Sequence, residues 1–185
     1  MRETYFHEDD YCQLELTPSE NAAFCAKQMG EIEKFADEHK SGVGWTDMFA
    51  RTENPTPLSA LLIRLDDLKS VLPTTMTPYD RVLTGYASYR TTCDSTFAFG
   101  PDHNLVLFAE SPDDVVTSIW FTLDLATVDD VNIALAMATS LAKWPAIIAD
   151  WGWSTLLQLD NNDELAAYFN KRREVWGRTN AENGG

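Results

Sequence analysis

The stretch TFAFGPDHNLVLFAESPDDVVTSIWFTL, residues 96–123, decides the fold. Its β-branched and aromatic runs at 96–99, 105–110 and 115–123 are separated by Gly100-Pro101-Asp102-His103-Asn104 and Ser111-Pro112-Asp113-Asp114, connectors built from turn-forming residues. Strands this short, joined by turns this short, pair most economically as antiparallel hairpins, so the segment predicts a meander. A further run at 82–89 extends the sheet toward the N-terminus.

Helices flank this sheet in sequence. Residues 11–16 alternate, with Cys12, Leu14 and Leu16 on one face, and read as a half-buried strand. Thr17-Pro18-Ser19-Glu20 has the form of a capping signal, with Thr17 as cap, Pro18 at the first position and Glu20 returning a bond. A helix from there to about Lys40 is expected, carrying Phe24, Cys25, Met29, Ile32 and Phe35 at helical spacing. Residues 42–57 read as an ordered loop or short strand with Val43, Trp45, Met48 and Phe49 as inward anchors, followed by a turn and a short helix over 66–71. The segment 73–78 is the best candidate for a mobile loop. Thr127-Val128-Asp129-Asp130 caps a helix apolar on most sides, which places it between layers as a central core helix. Residues 146–159 fold back around a corner at Asp150 to Trp153, and Asn161 or Asn162 starts a last helix with acids at its beginning. The sum is an α+β fold in one domain, 1–177, with about five or six mostly antiparallel strands and about three or four helices, and a flexible polar tail over 178–185.

Composition limits the function. The chain has 185 residues, 44% of them hydrophobic, so it can bury a core. Against 29 Asp and Glu stand 14 Lys and Arg, for a net charge of -15, which opposes nucleic acid and anionic membranes. The N-terminal residues are acidic where a secretory leader would be basic and then apolar, and the apolar stretch 133–149 is interrupted by Lys143 and Pro145. Three widely spaced cysteines, Cys12, Cys25 and Cys93, suit reduced thiols; together these features predict a cytoplasmic protein.

No motif announces a reaction. His7, His39 and His103 lack metal-ligand spacing, the cysteines form no Cys-x-x-Cys, and Gly85-Tyr-Ala-Ser-Tyr89 lacks the second glycine of a nucleophile elbow. His7-Glu8-Asp9-Asp10 holds four potential ligands, but neighbours in an extended chain point to opposite sides, so the cluster reads as a solvated contact surface and neither metal nor cofactor is expected. Asp113 and Asp114 sit in a turn that favours Asp on its own account. Trp45, Trp151 and Trp153 each lie near a glycine in an irregular segment, where a ring is half exposed or plugs the end of the sheet. An exposed Trp beside a carboxylate is a frequent combination at protein interfaces. The charge therefore asks for a basic protein partner. By analogy of size, charge and missing motifs, an immunity or antitoxin-like inhibitor of a basic toxin or effector domain is expected, contacting it through Glu8, Asp9, Asp10, Asp113, Asp114, Trp45, Asp150, Trp151 and Trp153. The alternatives are an enzyme using Asp150 or Asp9 as a general base, which requires a pocket with converging ionisable groups, and a structural subunit.

Overall fold

A computed structural model describes residues 1–42, 44–86 and 89–183, with the backbone alone for Tyr86 and for 177–183. In chain order the elements are β1 (Glu3–Tyr5), β2 (Leu14–Pro18), α1 (Ala22–His39), β3 (Lys40–Ser41), β4 (Gly44–Trp45), α2 (Leu65–Val71), β5 (Thr77–Pro78) and β6 (Arg81–Tyr86). They continue with β7 (Tyr89–Thr92), β8 (Thr96–Asp102), β9 (Leu105–Glu110), β10 (Ser118–Leu123), α3 (Val128–Leu141), β11 (Ala146–Asp150), β12 (Thr155–Gln158) and α4 (Asn162–Asn183).

The meander β8-β9-β10 forms as expected, with Trp120 opposite Phe108 and Phe97 opposite Ala109. It is the middle of a larger sheet, in the order β12-β11-β2-β10-β9-β8-β5, and every pairing in it is antiparallel. β2, from the N-terminal part of the chain, lies between two strands of the second half, β10 and β11, and pairs with both. The 82–89 run does not join this sheet: β6 pairs with β7 and, in parallel, with β1 to make a separate three-stranded sheet. Residues 115–117 likewise stay outside the ladder, apart from a single bridge between Val115 and Arg64.

Alternation distributes the side chains to two sides. On one, Ala98, Val106, Phe108 and Trp120 meet Phe6, Tyr79 and Val82 of the small sheet and its flanks. On the same side, Cys25 and Met29 of α1 pack against Ala149 and Trp151. On the other, Leu14, Leu16, Leu107, Phe121 and Ile148 meet Leu65 and Leu68 of α2, Met137 and Leu141 of α3, and Phe169 of α4. The large sheet is thus the middle of three layers.

Several expected details are corrected. Thr17 does not cap α1; it belongs to β2, and its hydroxyl accepts bonds from Asn21 and Asn54. The helix starts instead after a 3-10 turn, Ser19–Asn21, with no side-chain cap bond. α3 does form on the capping box of Thr127 and Asp130, but it is not enclosed: Asp129, Asn132, Ala136 and Thr139 are exposed while one face packs on the core. The 73–78 segment is anchored rather than mobile, because Met76 is buried and β5 pairs with β8. Asn161 caps α4 through its Oδ1, which accepts the Glu164 amide at 3.2 Å. The helical backbone runs to Asn183, past the expected end near Gly177; the side chains of 177–185 lie outside the described residues, and with them the reading of 178–185 as a tail. Val43, expected as an anchor, also lies outside them.

Candidate functional site

Glu8, Asp9 and Asp10 form a 3-10 turn between β1 and β2, not the extended run anticipated. His7 closes its start, the ring Nδ1 accepting the Asp9 amide at 3.2 Å. All three acids are exposed, and among the described residues no Lys or Arg forms an ion pair with any of them. The chain then turns sharply into β2 with Cys12 in the left-handed region, at φ 53°.

A loop from residue 46 to 57 is laid along this entry. Arg51 ties it down: its guanidinium donates to Glu15 Oε1 at 3.2 Å and to the Cys12 carbonyl at 3.1 Å, and it stacks over the Trp151 ring at 4.1 Å. Glu15 Oε1 also accepts the Trp151 indole N–H at 2.8 Å, so one carboxylate joins strand, loop and ring. Asn21 fixes the far end through Thr56, donating to its carbonyl at 2.7 Å and accepting its amide at 3.1 Å. Phe49 is the one anchor of this loop that turns inward, edge-on to Phe35 at 5.4 Å. Trp45 and Met48 point into solvent, 66% and 91% exposed, which corrects the expectation that they plug the interior. The reason is local: Trp45 stands in a two-residue strand opposite Lys40, in a hairpin that pairs with no other strand among the described residues.

The remaining expected contact residues divide. Asp113 and Asp114 are exposed in the β9–β10 connection, and Asp114 pairs with Arg64. The Glu8–Asp10 turn, with Tyr11 after it, spans the length of β10: Asp10 lines a cleft with Leu123 at one end, while the hydroxyl of Tyr11 donates to Glu110 at 2.9 Å beside Ser118 at the other. Trp151 is buried and so is not a contact residue. Asp150 is also buried, and its oxygens are occupied: Oδ1 accepts the Trp153 amide at 3.1 Å, and Oδ2 accepts the Tyr168 hydroxyl at 2.6 Å and Arg172 Nη1 at 2.8 Å. This arrangement makes Asp150 the brace between β11 and α4, with three hydrogen bonds taking up most of its acceptor capacity. Trp153 is half-buried under the same cluster, 4.9 Å from the Arg172 guanidinium. Asp9, the other expected base, is exposed on the turn.

Sequence reading missed Arg172, Tyr168 and Asp124. The first two sit four residues apart on α4, a spacing that puts them on one face, but nothing in sequence ties that face to Asp150. Asp10, Gln13, Asp124, Asp150, Trp153 and Arg172 line a cleft of about 310 Å³ at this end of the sheet. Burial raises the pKa of Asp124 above the usual carboxylate value, with Arg172 opposing the shift and Asp10 adding to it. The thiols are held in the opposite chemical state from nucleophiles: burial pushes Cys12 up to about 12 and Cys25 up to about 11. Among the described residues no group of three or more His, Cys, Asp or Glu gathers as a metal site, and no helix is long and apolar enough to cross a membrane. Comparison with protein-family models, curated proteins and solved structures finds no match to this chain.

Proposed function

We propose that this chain is a non-catalytic binding protein, and within that class an inhibitor of the immunity or antitoxin kind that occludes a basic toxin or effector domain. The observation that carries the reading is the exposed turn Glu8–Asp10, free of any Lys or Arg ion pair among the described residues, together with two large apolar side chains in solvent, Trp45 on the β3–β4 hairpin and Met48 on the loop that Arg51 ties to Cys12. Carboxylates supply steering and selectivity toward a basic surface, and a large exposed ring supplies contact area. The pairing of charges points the same way. Seven of the cations, Lys27, Lys34, Arg51, Arg64, Lys69, Arg81 and Arg172, are within ion-pair distance of a carboxylate of the chain itself, which leaves the acidic excess at the surface.

The test is capture of a partner by the full chain from its own cells, followed by titration of the captured protein between low and high salt. A basic partner is expected, with affinity falling at least about tenfold over the salt rise and again in the triple variant Glu8→Gln/Asp9→Asn/Asp10→Asn, and a comparable loss for Trp45→Ala. Capture of no basic protein, or affinity indifferent to salt and to these variants, overturns the reading.

The cleft beside Asp124 favours a second one, an enzyme with Asp124 as its general base, because ionisable groups converge there on a concave surface. It requires turnover that disappears in Asp124→Asn. Retention of full partner binding by that variant, without any turnover to lose, decides for the first reading.

A further inference from the structure

A concavity larger than the cleft beside Asp124 lies at the other end of the large sheet's width, where β5 lies against β8. β5 is only two residues long; Pro78 has no amide hydrogen to extend the ladder, and the partner chain of β8 leaves after Tyr79 donates to the Ala98 carbonyl at 2.9 Å. The edge of β8 around Phe97 is left uncovered, and a cavity of about 440 Å³ opens there, walled by Met76, Pro78, Tyr79, Phe97 and Phe99. Its size and apolar walls are those of a small-molecule site. The rim is the unusual part. On a chain with a net charge of -15, the one charged side chain lining the cavity among the described residues is a cation, Lys69 of α2, whose ammonium stands 5.6 Å from the Phe97 ring. A second cation backs the wall: the Arg2 guanidinium lies 3.8 Å over the Tyr79 ring. Lys69 is held by Asp66 at 3.1 Å, but both side chains are well exposed, and pairs of this kind in adjacent turns are weak enough for a ligand anion to displace.

We propose that this cavity binds a small amphiphilic anion, an apolar body with one carboxylate, the body against Met76 and Phe97 and the carboxylate on Lys69. Apolar walls alone would take a neutral hydrocarbon equally well; the cation at the rim selects the charged end. Methionine at the base tolerates differently shaped apolar bodies, because its side chain is unbranched and polarisable.

The experiment titrates octanoate, and octanol as its neutral counterpart, into the full chain labelled with ¹³C at the methionine methyl groups. Octanoate is expected to shift the Met76 signal, leaving the other four methionines in place, with a dissociation constant of about 0.1–1 mM. Octanol is expected to bind about tenfold more weakly, Lys69→Met to lose about tenfold for octanoate alone, and Lys69→Arg to restore most of it. Lys69 is at the surface, so these variants fold. An unmoved Met76 signal, equal affinity for the acid and the alcohol, or full octanoate affinity in Lys69→Met overturns the proposal.

Discussion

Removing the carboxylate of Asp150 leaves the buried Tyr168 hydroxyl and the partly buried Arg172 guanidinium around a missing partner, so Asp150→Ala is expected to cost about 3 kcal/mol in denaturant unfolding. Asp114→Ala, which breaks an exposed pair with Arg64, is expected to cost about 1 kcal/mol or less. The contrast between two aspartates in ion pairs measures what their surroundings contribute. Asp124 behaves in the reverse sense. Its folded pKa is raised, so the fold prefers the protonated form, and the contribution present at low pH is lost as pH rises through the folded value. Asp124→Asn is therefore expected to raise the thermal midpoint at pH 7, with the gain vanishing below pH 3.8, the ordinary value for the side chain. The thiols follow the same sign at the other end of the scale. Cys12 and Cys25 ordinarily titrate at 9.0 and are held at about 12 and about 11, so stability is expected to fall as pH climbs through that window; a flat midpoint between pH 9 and 11 would contradict their burial.

Among the elements, the β6–β7 hairpin depends on Gly85. Its φ of 104° is in the left-handed half of the map, and a Cβ there would run into the Tyr89 carbonyl oxygen. Gly85→Ala is expected to destabilise by about 1–3 kcal/mol, seen as a lower midpoint with the large sheet's signals otherwise in place. What was legible in sequence follows element by element. The meander was readable because its connectors are short and its pairing local, and α3 because Thr127 and Asp130 cap it from within the same turn. The placement of β2 between β10 and β11 was not, since it depends on partners more than one hundred residues away whose edges look alike in sequence. The same limit governed the candidate site. Glu8, Asp9 and Asp10 were legible as polar surface, but Trp45 and Trp151, both rings near a glycine, read alike in sequence: the first stands in solvent on a two-stranded hairpin, and the second is drawn inside by Glu15 and Arg51, residues that no local pattern connects to it. Asp150 was misassigned for a related reason: a carboxylate beside aromatic residues reads alike whether it meets solvent or a guanidinium from a distant helix.

For the molecule as a whole, the acidic excess works against compactness. Self-repulsion among like charges is screened by salt, so the thermal midpoint is expected to rise between about 0.02 and 0.3 M NaCl, and a falling midpoint would mean that the internal ion pairs outweigh the surplus. Glu8–Asp10 and Asp113–Asp114 stand on two different connections, one leading into β2 and the other into β10, and this has a further consequence. On the proposed reading, a basic body that covered the first turn alone would leave Asp113 and Asp114 charged in water. That complex would keep a negative charge of its own, and repulsion between like charges would hold two of them apart at low ionic strength.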